Sequence, residues 1–186
     1  MTRYTTQLRE ASLPVADFLD RFVDVEKFLG YCRECHNYNV HWSCPPYDFD
    51  PVELWRKYRE LKVVGLQILF EEDFVGTELD SEQWTALYRE VLHKESRSFY
   101  QMLRKEEEEA DGRCLLNPGS CSLCGDSGCD RRKAPCCHPE KRRYSIEALG
   151  GNVPAVSEGL LGVKMQWIEG GKVPAFLHLV GGILYQ

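Results

Sequence analysis

The sequence predicts an α+β fold: a small, largely antiparallel sheet with helices on one face and two cysteine-rich loops at one end. Three observations predict it. Strand-sized apolar runs lie at 61–71, 159–168 and 175–185, and the turn Glu169-Gly170-Gly171-Lys172 joins the last two as a hairpin. Apolar residues recur at helical spacing over 14–29 and 84–103. Two irregular stretches, 30–50 and 112–143, hold all nine cysteines.

In chain order, residues 4–11 alternate weakly and read as an edge strand. Val15, Phe18, Leu19, Phe22, Val23 and Phe28 form a helical stripe in one or two pieces, with Ser12 as its expected cap. Asp50-Pro51 is an N-cap and first-turn proline, opening a helix through Leu54, Trp55 and Tyr58. The run 61–71 is a buried strand. The longest helix starts at Asp80 or Ser81 and ends near Gly112, a natural residue for a helix C-terminus. Its tail, Glu106 to Glu109, places four negative charges at the negative helix end, a local penalty of a few tenths of a kcal/mol per charge, about what a solvated face tolerates. Contact with the nearby basic segment is the other reading of that tail. Residues 145–149 read as a short helix closed by Gly150-Gly151.

A chain of 186 residues suggests one domain, 1–186, large enough to bury a core without disulfides. The composition, 43% hydrophobic and 28% charged, excludes a disordered, collagen-like or coiled-coil chain. The N-terminal segment has no apolar core of a secretory signal, and no run reaches the length of a membrane span. A cytoplasmic, reducing location is expected, where cysteines serve metals or catalysis rather than disulfides. The net charge of −6 argues against nucleic acid as a partner. The charge is uneven. Within 111–143, Arg113, Arg131, Arg132, Lys133, Lys141, Arg142 and Arg143 outweigh Asp111, Asp126, Asp130 and Glu140, giving that segment +3 and the remainder −9.

The chemistry is expected where the cysteines are. The first group is Cys32-x2-Cys35-x8-Cys44, followed by Pro45-Pro46. The second is Cys121-x2-Cys124-x4-Cys129-x6-Cys136, with Cys114 upstream and Cys137 adjacent. A C-x2-C turn presents two thiolates to one ion or cluster. Four thiolates suit either tetrahedral zinc or a [4Fe–4S] cluster. Cys44-Pro45 resembles the Cys-Pro that closes ferredoxin cluster runs and favours iron–sulfur. The second group completes a site. The first has three ligands, and Cys114 is the expected fourth. The alternative is an open iron position, taken by substrate or by His36, His41 or His138. Trp42, beside the first group, reads as a shield against solvent. No phosphate loop, dinucleotide fingerprint or nucleophile elbow is present. Asn117-Pro118-Gly119-Ser120 reads as a turn into the second group.

Two long blocks resemble the DUF2284 family of predicted metal-binding proteins, found in anaerobic bacteria and archaea. They are CRECHNYNVHWSCPPYDFD at 32–50, and GRCLLNPGSCSLCGDSGCDRRKAPCCHPEKRRYSIEALGGNV at 112–153. The resemblance implies Cys32, Cys35, Cys44, Cys121, Cys124, Cys129 and Cys136 as ligand positions. Cys137 falls where the family pattern usually has arginine, which makes it an extra thiol. The expected function is a cytoplasmic iron–sulfur protein with two [4Fe–4S] clusters, exchanging electrons with a redox partner whose docking face is acidic. Two alternatives stay open. One is an enzyme with an open-site cluster at Cys32, Cys35 and Cys44, acting on a small anionic substrate held by Arg113, Arg142 or Arg143. The other is a structural zinc module.

Overall fold

The computed structural model describes residues 4–125 and 128–186. Asp126, one of the acids counted in the second loop, lies outside the described residues, as do Ser127 and residues 1–3.

Four strands form one antiparallel sheet in the order β1-β2-β4-β3. β1 (Tyr4–Pro14) is the edge strand that weak alternation implied, paired with β2 (Glu60–Phe70) from Tyr4↔Phe70 to Pro14↔Glu60. β2 is central, and its apolar run is continuous because both faces are covered. β4 (Phe176–Tyr185) lies on its other side, and β3 (Arg113–Leu116) closes the far edge.

Alternate residues of β2 separate two cores. Leu61 and Val63 join Leu184, Leu116 and Val180 beneath α1 (Val15–Phe22), α3 (Pro51–Trp55) and α6 (Val153–Leu161). Val64 and Leu66 join Leu115 and Ile183 beneath Phe99 and Leu103 of α5 (Lys94–Glu108). The helices are thus divided between two faces, where the sequence pattern placed them on one. Trp55 anchors the first core: it is fully buried, its ring is 5.0 Å from Phe18, and its indole N–H donates to the Leu149 carbonyl at 3.1 Å.

Several local expectations are corrected. Ser12 caps nothing: it is paired with Lys62 inside β1, and α1 follows Pro14 without a side-chain cap. The stripe at 14–29 is broken at Val23, which pairs with Gly151, and resumes as α2 (Val25–Arg33), capped by Asp24. The long helix begins at Asp80 with a capping box to Gln83, but a wide π-helical turn at Tyr88–His93 separates α4 (Ser81–Leu87) from α5. The C-terminal hairpin does not form. Asn152 accepts from the Ala155 N–H at 3.1 Å, Pro154 occupies the first turn, and 153–161 is α6. That cap and proline outweigh the strand-like composition of Gly159 to Leu161.

The acidic tail of α5 is solvated at Glu108 and Glu109, while Glu106 and Glu107 turn to basic partners. Glu107 is buried, ion-paired with Arg104 and with Arg143 from the basic segment, and accepts from the Leu115 N–H at 2.8 Å. Glu106 pairs with Lys62 of β2 at 2.6 Å. The tail thereby fastens α5 to the sheet and to the end of the second cysteine segment.

Candidate metal centre

The first group starts at the end of α2. Asp24 donates its backbone N–H to the Gly150 carbonyl at 2.9 Å, and Asn152 donates to Phe22 at 2.8 Å, so the helix entry is fixed to the turn at 145–152. Cys32 leaves the last turn of α2. A chain of tight turns follows: Cys35 N–H to the Cys32 carbonyl, Tyr38 to Cys35, and Cys44 to His41, all at 3.0 to 3.1 Å. These turns place Cys32, Cys35 and Cys44 on one cavity of about 180 Å³, closed from the other side by Gly119, Ser145 and Glu147. A water occupies about 30 Å³ of liquid, so the cavity has room for a group of several atoms.

The second group lines a wider cavity of about 500 Å³, where Cys121, Cys124 and Cys129 meet His41, His93 and Arg97. The His41 Nδ1 atom is buried there without a hydrogen-bond partner, and burial, reinforced by His36, pushes its pKa below the usual imidazole value. Cys136 acts electrostatically on both Cys121 and Cys124, and Cys137, which is exposed, acts on Cys124. The expected turn at Asn117 is present, with the Gly119 N–H bonded to the Asn117 carbonyl at 3.0 Å.

The two loops interlock, which the spacing of the cysteines did not show. The Ser43 hydroxyl, between Trp42 and Cys44, accepts from the Cys121 N–H at 3.1 Å. The Arg131 N–H donates to the Val40 carbonyl at 2.7 Å, and its guanidinium reaches the Cys44 and Pro46 carbonyls. Trp42 is a strut as well as a cover. Its indole N–H donates to the Ala134 carbonyl at 2.9 Å, and Arg131 and Arg142 stack on its ring. Part of the basic character of the second loop is therefore spent on loop–loop contacts.

Cys114 is placed elsewhere. It lies in β3, paired with Leu184, packs against the first core and interacts with the Tyr58 hydroxyl and Arg143. Cys114 is not among the residues that line the first cavity, which the structure builds from Cys32, Cys35 and Cys44.

None of the nine cysteines forms a disulfide. Burial raises the thiol pKa of Cys32, with Cys35 and Glu147 adding to it. Burial likewise raises Cys121 and Cys124, and pushes Cys44 up to about 11. Without a cation the thiols stay protonated, and a bound metal would deprotonate them and release protons to solvent. Soft thiolate donors of this kind fit zinc, copper(I) and iron–sulfur clusters. Among the described residues no three His, Cys, Asp or Glu side chains converge closely enough to enclose a single ion.

Fold and site together define a cysteine-rich metal-binding protein built on a four-stranded antiparallel sheet. The family model of DUF2284, described as a predicted metal-binding protein, matches residues 21–185, and the chain belongs to that family. No curated protein and no solved structure matches it. The match leaves out all of β1, the edge strand, and most of α1. Among the described residues no helix is long and apolar enough to cross a membrane.

The residues that sequence reasoning missed are Glu147, Ser43 and Arg131. Glu147 stood inside the second conserved-looking block as part of Tyr-Ser-Ile-Glu-Ala-Leu-Gly, but nothing in its spacing tied it to cysteines over a hundred positions away.

Proposed function

We propose that this chain is a cytoplasmic iron–sulfur protein that carries two [4Fe–4S] clusters, one in each loop, and exchanges electrons with a partner redox protein. The observation that carries the reading is the pair of cysteine-lined cavities on two loops joined by the Ser43, Trp42 and Arg131 contacts. Cys32, Cys35 and Cys44 would hold the first cluster, and Cys121, Cys124, Cys129 and Cys136 the second. Cavities larger than one ion, with thiols spread around them, favour a cluster over tetrahedral zinc.

A bound cluster supplies reversible one-electron storage. The residues of the chain do the rest. Trp42 and Tyr47 limit water access to the first loop, and the Arg131 and Arg142 guanidinium groups over Trp42 offset the negative charge that thiolates bring. Arg132 and Lys133 stay exposed beside Asp130 and form the face on which an acidic partner would dock.

Iron, zinc and acid-labile sulfide, measured on protein purified without oxygen, test this reading. About eight irons and eight sulfides per chain are expected. Zinc without sulfide overturns it, as does a cluster-loaded protein that no donor reduces.

A further inference from the structure

The first cavity contains three cysteines and one carboxylate. Glu147 sits in the short 3-10 turn Glu147–Leu149 and lines the cavity together with Cys32, Cys35 and Cys44. The turn is held rigidly. The Ser145 hydroxyl accepts from the Ala148 N–H at 3.2 Å, the Gly150 N–H bonds to the Glu147 carbonyl at 3.0 Å, and Gly150 in turn accepts from Asp24 at the start of the cysteine-bearing helix. Glu147 and Cys32 therefore belong to one braced unit.

The carboxylate is poorly provided for. Its Oε2 atom is buried and has no hydrogen-bond partner among the described residues. The groups that act on Glu147 are burial, its own backbone and the Ser145 side chain, and no Lys, Arg or His is among them. A buried carboxylate with neither cation nor full hydrogen bonding is costly, so a native chain that keeps one has a use for it. In turn, Glu147 is one of the two charged groups that act on the Cys32 thiol, the other being Cys35. The position expected of a fourth cysteine is not filled by Cys114, which faces Tyr58 and the core.

We infer that Glu147 is the fourth ligand of the metal group held by Cys32, Cys35 and Cys44, binding through a carboxylate oxygen. The inference rests on the iron–sulfur reading for its preferred metal; a single ion would be held by the same three sulfurs and one oxygen only if the four side chains drew together around it. One carboxylate replaces one thiolate without changing the ligand charge. It leaves the first site with one iron of distinct, harder coordination, in contrast to the all-cysteine second site.

The test uses full-length protein purified without oxygen: wild type, Glu147→Gln, Glu147→Ala, Glu147→Cys and Cys114→Ala. Iron content, 57Fe Mössbauer spectra and EPR after mild ferricyanide oxidation are the readouts. Glu147→Gln and Glu147→Ala are expected to lose one iron from the first cluster on oxidation and to develop the EPR signal of a three-iron cluster. Glu147→Cys should keep that iron and lose the distinct oxygen-bound component of the Mössbauer spectrum. Cys114→Ala should match wild type. Glu147→Gln keeps the size and shape of the native residue and reports if the alanine variant fails to fold. Wild-type resistance to oxidation in the glutamine variant, or loss of an iron in Cys114→Ala alone, overturns the inference. Zinc without sulfide in the wild type would instead sink the iron–sulfur reading. X-ray absorption at the zinc edge then decides separately: a shell of three sulfurs and one oxygen supports Glu147, and four sulfurs overturns it.

Discussion

Cys32 leaves an α-helix fixed at its entry to the core, whereas Cys121, Cys124, Cys129 and Cys136 ride on a loop whose contacts run largely to the other loop. The first cavity is small and shares a wall with the buried turn at 145–150. The second is nearly three times larger and includes polar side chains from the first loop and from the π-helical turn. The same donor atoms thus stand on different supports. The sheet organises the first loop, and the first loop organises the second. The first should hold its shape without metal, while the second should gain more of its order from the ion or cluster it binds.

The sharpest way to break this comparison is Gly150→Ala. Gly150 has φ of +85°, and a Cβ there would stand 2.7 Å from the Val25 Cα, which is backbone that cannot swing aside. Strain and overlap together should cost about 3 kcal/mol. The damage falls on the joint between α2 and the Glu147 turn. Metal content should drop first in the Cys32, Cys35 and Cys44 site, with the second site following because it leans on the first. Metal analysis alongside urea unfolding checks both effects. Loss confined to the second site would show that the two loops are supported in the reverse order.

A smaller effect should reach both loops equally. His178 lies on β4, its Nδ1 2.9 Å from the Ser157 hydroxyl and its Nε2 buried without a partner. Burial, aided by the charge of Arg9, pushes its pKa down to about 4. An unfolded histidine titrates near ~6.5, so between these values the unfolded chain binds more protons than the folded one. Stability contributed by neutral His178 is complete above about pH 6.5 and is lost as pH falls toward 4. Allowing for partial solvent access, the loss should be about 1–2 kcal/mol. Urea unfolding at pH 7 and pH 4.5 should show that difference in the wild type, and it should shrink in His178→Gln. Because His178 lies on β4, inside the four-stranded sheet, its protonation should lower global stability and raise amide exchange in both loops together.

Much of this architecture is legible in the sequence, for identifiable reasons. Asp50-Pro51 and Asp80 cap their helices through neighbours a few residues away, and both helices start where they were expected. The run at 61–71 reads as a strand because both faces are buried. The failures are non-local. Gly159 to Leu161 looks like strand material until the Asn152 cap and Pro154 are given their weight. Glu107 looks solvated until Arg143, thirty-six residues on, folds back to it. The cysteine groups announce themselves by spacing, but the assignment of Cys114 to the first site rested on a count, three ligands there lacking a fourth, whereas its strand register turns it toward Tyr58. Glu147 carried no signal of its own, because a single glutamate next to alanine and leucine reads as an ordinary helix position.

The smallest predicted change probes the contact through which one loop steadies the other. Ser43 is buried, and its hydroxyl is the acceptor for the Cys121 N–H, the first amide of the second group. Ser43→Ala removes the acceptor and leaves that N–H without a partner, a loss of about 1 kcal/mol. The Arg131 bonds to the Cys44 and Pro46 carbonyls and the Trp42 bond to Ala134 remain. The loops should therefore stay docked while the start of the second one loosens. Amide exchange at Cys121 is expected to accelerate about fivefold, as 1 kcal/mol implies, with the amides of 32–44 little changed. Equal acceleration across both loops would mean that the first loop draws as much support from the second as it gives, and the hierarchy between them would have to be abandoned.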